Sequence, residues 1–340
     1  MKPAALERLR CPSCHALQPF DLSAAEENGE REVREATLAC RSCGAQRSVS
    51  AGIVDLLPAD LPPFVAAEAA GLDRFVETMH DYGWTREDVL ALPFREDGYW
   101  FCQARAMQQT LATTGLDLAP GKSVLDVGSN TCWASAMFAE NDLDVTALDI
   151  TANEMQGLRT ADWWFEAKGI YFERVLGVMF DLPFADDVFD YVWCCEVLHH
   201  NHRANLYRTM RELARVLKPG GRAIVVNETC RSLRDPKWRP GHEVAQFDGH
   251  EHAYLPWSYV HAARRAGLQV QVVYPWTVPM FSPSTFELAP ETSLRRAAWL
   301  VTVHAARRVP ALRRAALAYK HYIDGAAAFY MIATNPGQAT

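Results

Sequence analysis

No stretch of the chain approaches the run of about 18 apolar residues that a membrane-spanning helix requires. The N-terminal segment Met1 to Glu7 has no apolar run behind Lys2 of the kind a secretory leader carries. The expectation is a cytoplasmic protein with no membrane partner. Positive charge is also scarce: 34 Lys and Arg stand against 41 Asp and Glu, a formal net charge of −7. That balance disfavours RNA or DNA as a partner of the whole surface, though not of a local basic patch. The 9 cysteines are not spaced as a disulfide framework. Their number is odd and four of them form two C-x-x-C pairs, which suits a reducing compartment and a metal ion. The remaining five are Cys102, Cys132, Cys194, Cys195 and Cys230. Disorder is excluded by 49% hydrophobic residues over 340 positions, enough for one large core or two domains of unequal size.

What is present begins with the paired cysteines. Cys11-Pro12-Ser13-Cys14 and Cys40-Arg41-Ser42-Cys43-Gly44 are two knuckles about 26 residues apart. In each, i,i+3 spacing across a tight turn lets two thiolates face one ion, and the two together complete a tetrahedral four-sulfur site of the type that selects zinc. Neither pair opens a helix after a strand, as thioredoxin-like redox chemistry would require. The segment from Leu9 through Leu38 to Gly52-Ile53-Val54-Asp55-Leu56-Leu57-Pro58 resembles the small zinc-ribbon proteins that accompany methyltransferases. The resemblance implies a docking or substrate-presenting role for residues 1–60. The acidic stretch Glu26 to Glu32 reads as a solvated hairpin tip.

Pro and Ala between Leu57 and Pro63 mark the exit from the ribbon, and a helical connector is expected over 61–119. Within it, Tyr99-Trp100-Phe101 and Arg105 either cover a cofactor's methionine end or pack between domains.

The main domain, residues 120–340, opens with a short apolar strand, Lys122 to Val127, running into the turn Gly128-Ser129-Asn130 and the helix Cys132 to Ala139. Glycine permits close backbone approach, and a helix start behind such a turn offers amides to a ligand. The turn holds only one glycine of a G-x-G-x-x-G fingerprint. The next strand, Asp144 to Ile150, supplies the support: its Asp149 stands about 20 positions after the turn, where an acid can accept from ribose hydroxyls. Asp181-Leu182 then follows a third strand. A fourth, Asp190 to Cys195, ends in Glu196-Val197-Leu198-His199-His200, and Leu213 to Gly221 closes a helix and turns into a fifth strand at Arg222 to Asn227.

This series resembles the class I S-adenosylmethionine-dependent methyltransferases of small-molecule type. The resemblance implies an α/β, Rossmann-like sheet of seven strands with helices on both faces. It further implies that Asp126 and the turn of Gly128, Ser129 and Asn130 hold the cofactor's methionine portion, that Asp149 takes the ribose, and that Asp181 and Leu182 fall where the adenine is held, with Ile150 and Cys195 also among the cofactor-binding residues. Asn130 departs from the family pattern, which has a second glycine there.

Ligands of an open α/β sheet sit outside the carboxyl ends of its strands. Strand four delivers Glu196, His199 and His200 to that rim. Methyl transfer aligns a nucleophile in line with a sulfonium carbon and removes its proton, a duty suited to histidine. Either histidine qualifies. Downstream, His250-Glu251-His252 either lines the acceptor pocket or chelates a second metal. Trp163, Trp164 and Tyr254 offer aromatic faces for an acceptor. Two last strands, Gly267 to Tyr274 and Ala326 to Ala333, are expected to pair antiparallel. Between them, residues 276–324 exceed any hairpin link and read as an inserted helical lid bearing Arg295, Arg296, Arg313 and Arg314.

The function expected is transfer of a methyl group from S-adenosylmethionine to a hydroxyl, amine or carbon of a small metabolite, with structural zinc in the ribbon. The alternatives are an RNA or protein acceptor docked through the ribbon, and a non-catalytic S-adenosylmethionine-binding module. A closed aromatic pocket would favour the first, and a basic stripe from ribbon to rim would favour RNA.

Overall fold

The computed structural model describes residues 1–27, 32–81, 84–95, 98–114, 118–234, 252–275, 301, 305, 308–319, 322–323 and 328–337. The ribbon contributes β1 (Phe20–Glu27), β2 (Val33–Cys40), β3 (Gln46–Ser50) and β4 (Ile53–Asp55). Three helices follow: α1 (Pro63–Asp81), α2 (Arg86–Leu90) and α3 (Gly98–Thr114). The main domain then runs β5 (Ser123–Val127), α4 (Trp133–Ala139), β6 (Asp144–Asp149), α5 (Ala161–Lys168), β7 (Glu173–Leu176), β8 (Phe189–Cys195), α6 (Leu206–Val216) and β9 (Leu217–Glu228). It closes with α7 (Pro256–Arg265), β10 (Gln269–Val273), α8 (Pro310–Tyr319) and β11 (Phe329–Thr334).

The strands form one sheet in the order β1-β2-β3-β4-β7-β6-β5-β8-β9-β11-β10. From β7 to β9 neighbours are parallel, and β11 lies between β9 and β10, antiparallel to both. β5 is buried along its whole length, as a parallel strand covered on both faces must be. Successive residues point to opposite faces. Leu125, Val127, Val192 and Cys194 share one core with the apolar faces of α6 and α7. Val124, Tyr191 and Trp193 share the other with α4, α5 and part of α3. Trp193 is fully buried and meets Trp133 and Phe138 edge-on. In α6, Leu206, Met210, Leu213 and Val216 recur at helical spacing and form its buried stripe.

The sheet has eleven strands where seven were expected, because the ribbon continues it. β4 pairs parallel with β7, in the register Ile53 to Arg174, Val54 to Val175 and Asp55 to Leu176. Nothing local announces such a pairing, since a three-residue strand carries almost no periodicity. The seam is held by buried charge as well. Arg174 is fully buried, with Glu32 of the ribbon and Asp162 of α5 each at 2.9 Å, and it donates to the Ala51 carbonyl. Leu9, Phe20, Leu38 and Val54 of the ribbon join Leu148, Val175 and Phe184 in one apolar cluster.

Most of the expected lid at 276–324 lies outside the described residues, with Arg295 and Arg296. Of its described part, α8 carries Arg313 and Arg314 on an exposed surface. Tyr99, Trp100 and Phe101 fall within α3, but their side chains lie outside the described residues. Among the described residues, no helix is long and apolar enough to cross a membrane.

Candidate active site

The carboxyl ends of β5 to β9 form a rim. The turn after β5 reverses sharply: Gly128 has φ +69°, and Asn130 and Cys132 adopt the left-handed region at φ 47° and 57°. Asp149, at the end of β6, braces this turn. Its carboxylate accepts from the backbone N–H of Asn130 at 2.8 Å and from those of Ile150 and Thr151 at 2.7 and 3.1 Å. Burial raises its pKa despite these three donors. Ser129 is buried beside it, and the Asn130 Oδ1 is a buried acceptor with no partner among the described residues. Two more non-glycine residues with positive φ stand on the same rim, Glu196 at 50° and Asn227 at 54°. Strained backbone of this kind gathers where a ligand site over-determines the chain.

Asp126 does not face an open space. It is 2% exposed, and Ser135 of α4 donates to its carboxylate at 2.6 Å. Burial, its largest influence, pushes the carboxyl up to about 7 from an ordinary 3.8, against the Ser135 hydrogen bond. Between those values the folded carboxyl keeps a proton that the unfolded chain has lost, so raising the pH through this window favours unfolding, and the penalty levels off above it. Asp126→Asn is therefore expected to gain about 2 kcal/mol of stability relative to the parent between about pH 5 and pH 7, at about 1.4 kcal/mol per unit. Thermal melts of both proteins at the two pH values check this.

After β7 the chain turns through Val178, Met179 and Phe180. With Ile150, His200 and Asn201 on the rim and Phe64, Val65 and Glu68 of α1 across it, these residues line a small cleft of about 40 Å³. The next two positions do not join it. The Asp181 carboxylate turns to the ribbon, taking Arg10 at 2.8 Å and His15 at 3.3 Å, with Arg208 at 3.7 Å. Leu182 is fully buried, and its N–H donates to Glu212 at 3.0 Å. The pair expected at an adenine thus meets the ribbon seam and the core, while Val178 and Met179 line the cleft. The apolar character of Gly177-Val178-Met179 was the only signal available in the sequence.

The two histidines part company. His199 is 2% exposed, and its Nδ1 lies 2.7 Å from Oε1 of Glu228, which is fully buried at the end of β9. That carboxylate also accepts from the backbone N–H groups of Val197, Leu198 and His199 at 3.3, 3.0 and 2.9 Å. His200 instead lines the cleft, with its Nδ1 2.6 Å from Oε1 of Glu68. Glu196 is half-buried at the end of β8. Next to it, Cys195 receives a weak hydrogen bond from Asn227 at 3.8 Å, and burial raises its thiol pKa. Sequence reasoning missed Glu68, which precedes the main domain, and Glu228, whose position at a strand's carboxyl end was a usable signal.

The candidate acceptor residues scatter. Trp164 is buried and donates to the Thr131 carbonyl at 2.8 Å, so it supports the turn from behind. Trp163 borders an open depression with Asp73, Thr151 and Arg159. The Tyr254 hydroxyl donates to the Asn201 carbonyl at 2.5 Å, and the His252 backbone N–H donates to the His199 carbonyl at 2.6 Å. These two bonds fasten the segment before α7 onto the histidine turn. His250 lies outside the described residues.

At the far edge, the sulfurs of Cys11, Cys14, Cys40 and Cys43 lie within 4.8 Å of one another. Two of the separations are 3.8 Å, Cys11 to Cys43, and 3.7 Å, Cys14 to Cys40. A tetrahedral ion with metal–sulfur bonds of about 2.3 Å sets sulfur edges of about 3.8 Å. The knuckles repeat one geometry: His15 N–H donates to the Cys11 carbonyl and Gly44 N–H to that of Cys40, each at 2.8 Å. The donor set and its spacing fit a single metal ion.

The sheet order of the main domain, with its antiparallel β11 between β9 and β10 and helices flanking it, is typical of Rossmann-like S-adenosylmethionine-dependent methyltransferase folds. Residues 125–225 match a family model described as a methyltransferase domain. The chain is 28% identical over 184 residues to methyltransferase GfsG of Streptomyces halstedii, covering 50% of this chain and 64% of the relative. It is 33% identical over 137 residues to 27-O-demethylrifamycin SV methyltransferase of Amycolatopsis mediterranei, covering 37% and 47%. It is 35% identical over 136 residues to demethylmenaquinone methyltransferase of Corynebacterium glutamicum, covering 39% and 50%. The chain thus spans less than two thirds of each of these relatives.

Proposed function

We propose that the protein transfers a methyl group from S-adenosylmethionine to a small molecule, and that the ribbon holds a structural zinc ion. The observation that carries the proposal is the rim itself: a strained glycine turn braced by Asp149, set beside an apolar cleft that His200 enters. The residues suit the cofactor. The buried, unpartnered Asn130 Oδ1 is an acceptor for the ammonium of its amino-acid end, and Ile150, Val178 and Met179 offer apolar faces for its base. Asp149 retains a lone pair for a ribose hydroxyl beyond its three backbone donors. When bound, S-adenosylmethionine supplies an electrophilic methyl carbon on a positive sulfur. His200 accepts the proton of an attacking hydroxyl or amine, while Glu228 and His199 hold its turn in place.

Relatives named for methylation of 27-O-demethylrifamycin SV and of demethylmenaquinone support a small organic molecule as the acceptor class. Calorimetry with S-adenosylhomocysteine tests the cofactor half, with micromolar binding expected. Incubation with S-adenosylmethionine and a panel of phenols and hydroquinones, read by mass spectrometry, tests the acceptor half. Absence of binding would sink the proposal, and methylation of RNA alone would move the acceptor class.

A further inference from the structure

Resting on that proposal, we infer that Glu68 of α1, outside the methyltransferase domain proper, is the positioning residue that makes His200 a directed base. The rim holds two histidine–carboxylate pairs side by side, with the rings 4.2 Å apart. In both, a carboxylate oxygen lies beside Nδ1: Glu228 is hydrogen-bonded to His199 at 2.7 Å, and Glu68 makes an ion-pair contact with His200 at 2.6 Å that lies off the ring's hydrogen-bonding direction. The first pair is sealed, at 2% and 0% side-chain exposure, and braces backbone. In the second, the His200 side chain keeps 21% exposure and both partners line the cleft.

A carboxylate that is 5% exposed on an otherwise apolar helix face, flanked in the cleft by Phe64 and Val65, is costly to bury unless it is paired. A carboxylate beside Nδ1 electrostatically favours the proton on that nitrogen and leaves Nε2 to exchange with the acceptor. As an acceptor hydroxyl oxygen forms its bond to the methyl carbon, the carbon–sulfur bond breaks with its electron pair going to sulfur. The hydroxyl proton passes to Nε2, and the imidazolium is balanced by Glu68. Among the described residues, the titratable groups around His200 are Glu68 from α1, Asp149 at the end of β6, and His199 of its own turn with Glu228 behind it. The positive form of His200 also steadies the charge on Asp149.

The test is long-range ¹H–¹⁵N NMR of the whole 340-residue chain loaded with zinc, free and with S-adenosylhomocysteine. The His200 signals are assigned by their loss in His200→Gln. The expected parent spectrum shows Nδ1 protonated and a titration midpoint that falls by about one unit or more in Glu68→Gln, while Glu68→Asp, which keeps the charge, retains most of it. With any acceptor found in the panel, turnover in Glu68→Gln falls about tenfold or more and the acid limb of its pH profile moves with the NMR midpoint. An unchanged His200 midpoint in Glu68→Gln, or a variant that loses thermal stability alone, overturns the assignment. Failure of the parent to bind S-adenosylhomocysteine counts against the transferase proposal instead, and the midpoints in the free protein still decide the role of Glu68.

Discussion

Gly128→Val is expected to abolish binding of S-adenosylhomocysteine and to lower the free energy of unfolding by about 2–6 kcal/mol. Two costs add. The residue sits at φ +69°, which a β-branched side chain adopts only under strain of about 1–3 kcal/mol. A Cβ at this position would also lie 2.2 Å from Val197 Cγ2 and 3.0 Å from Val197 Cβ. Val197 cannot retreat freely, because it begins the turn whose N–H groups are fixed on Glu228, and overpacking of this sort costs about 1–3 kcal/mol more. The turn would have to move away from Asp149, taking with it the Asn130 N–H that the carboxylate holds. Chemical denaturation and calorimetry measure the two effects separately. A variant that binds with parental affinity would show that the cofactor does not use this turn. Asn130→Gly is the informative contrast. Its φ of 47° favours glycine, and the change removes the unpartnered buried Oδ1, so stability should hold or rise slightly while affinity falls.

That contrast marks what can be read from a single sequence. Strands β5, β6 and β8 announce themselves because each is a short, largely apolar run with a chemically distinctive residue at its end: Gly128 after one, Asp149 closing another, Glu196 after a third. The parallel pairing follows from helices between strands. What escapes is every feature that depends on a partner far along the chain. Asp181 looks like a cofactor residue by its place after a third strand, yet Arg10, some 170 positions earlier, claims it. His199 and His200 are indistinguishable as letters, and only Glu228 behind one and Glu68 in front of the other separate them. The ribbon's own cysteine spacing points to a metal, but the spacing says nothing about where its last strand docks, because β4 finds its mate, β7, by register and buried charge.

Removing the metal proposed for the four cysteines should have the larger consequence, for this reason. Structural zinc contributes about 10–16 kcal/mol to folding of small isolated zinc modules, and the ribbon's own core is too thin to replace it. Here the loss would not stay in the ribbon. Leu9, Phe20, Leu38 and Val54 cover Val175 and Phe184, so melting of β1 to β4 would expose part of the main domain's core and free the edge of β7. Arg174, fully buried, would lose Glu32 and keep Asp162, and Glu212 would lose Arg10 and keep Arg215. Chelation, or Cys40→Ser, is therefore expected to strip one bound ion and remove hydrogen-exchange protection from β1 to β4. It should also raise exchange in β7 and in the turn through Val178 to Asp181, since that turn is tied to the ribbon at Arg10 and His15. Metal analysis together with hydrogen exchange by mass spectrometry measures both. Full protection of β1 to β4 in a protein shown to hold no metal would mean that docking onto β7 alone folds the ribbon, and the four cysteines would then need another explanation.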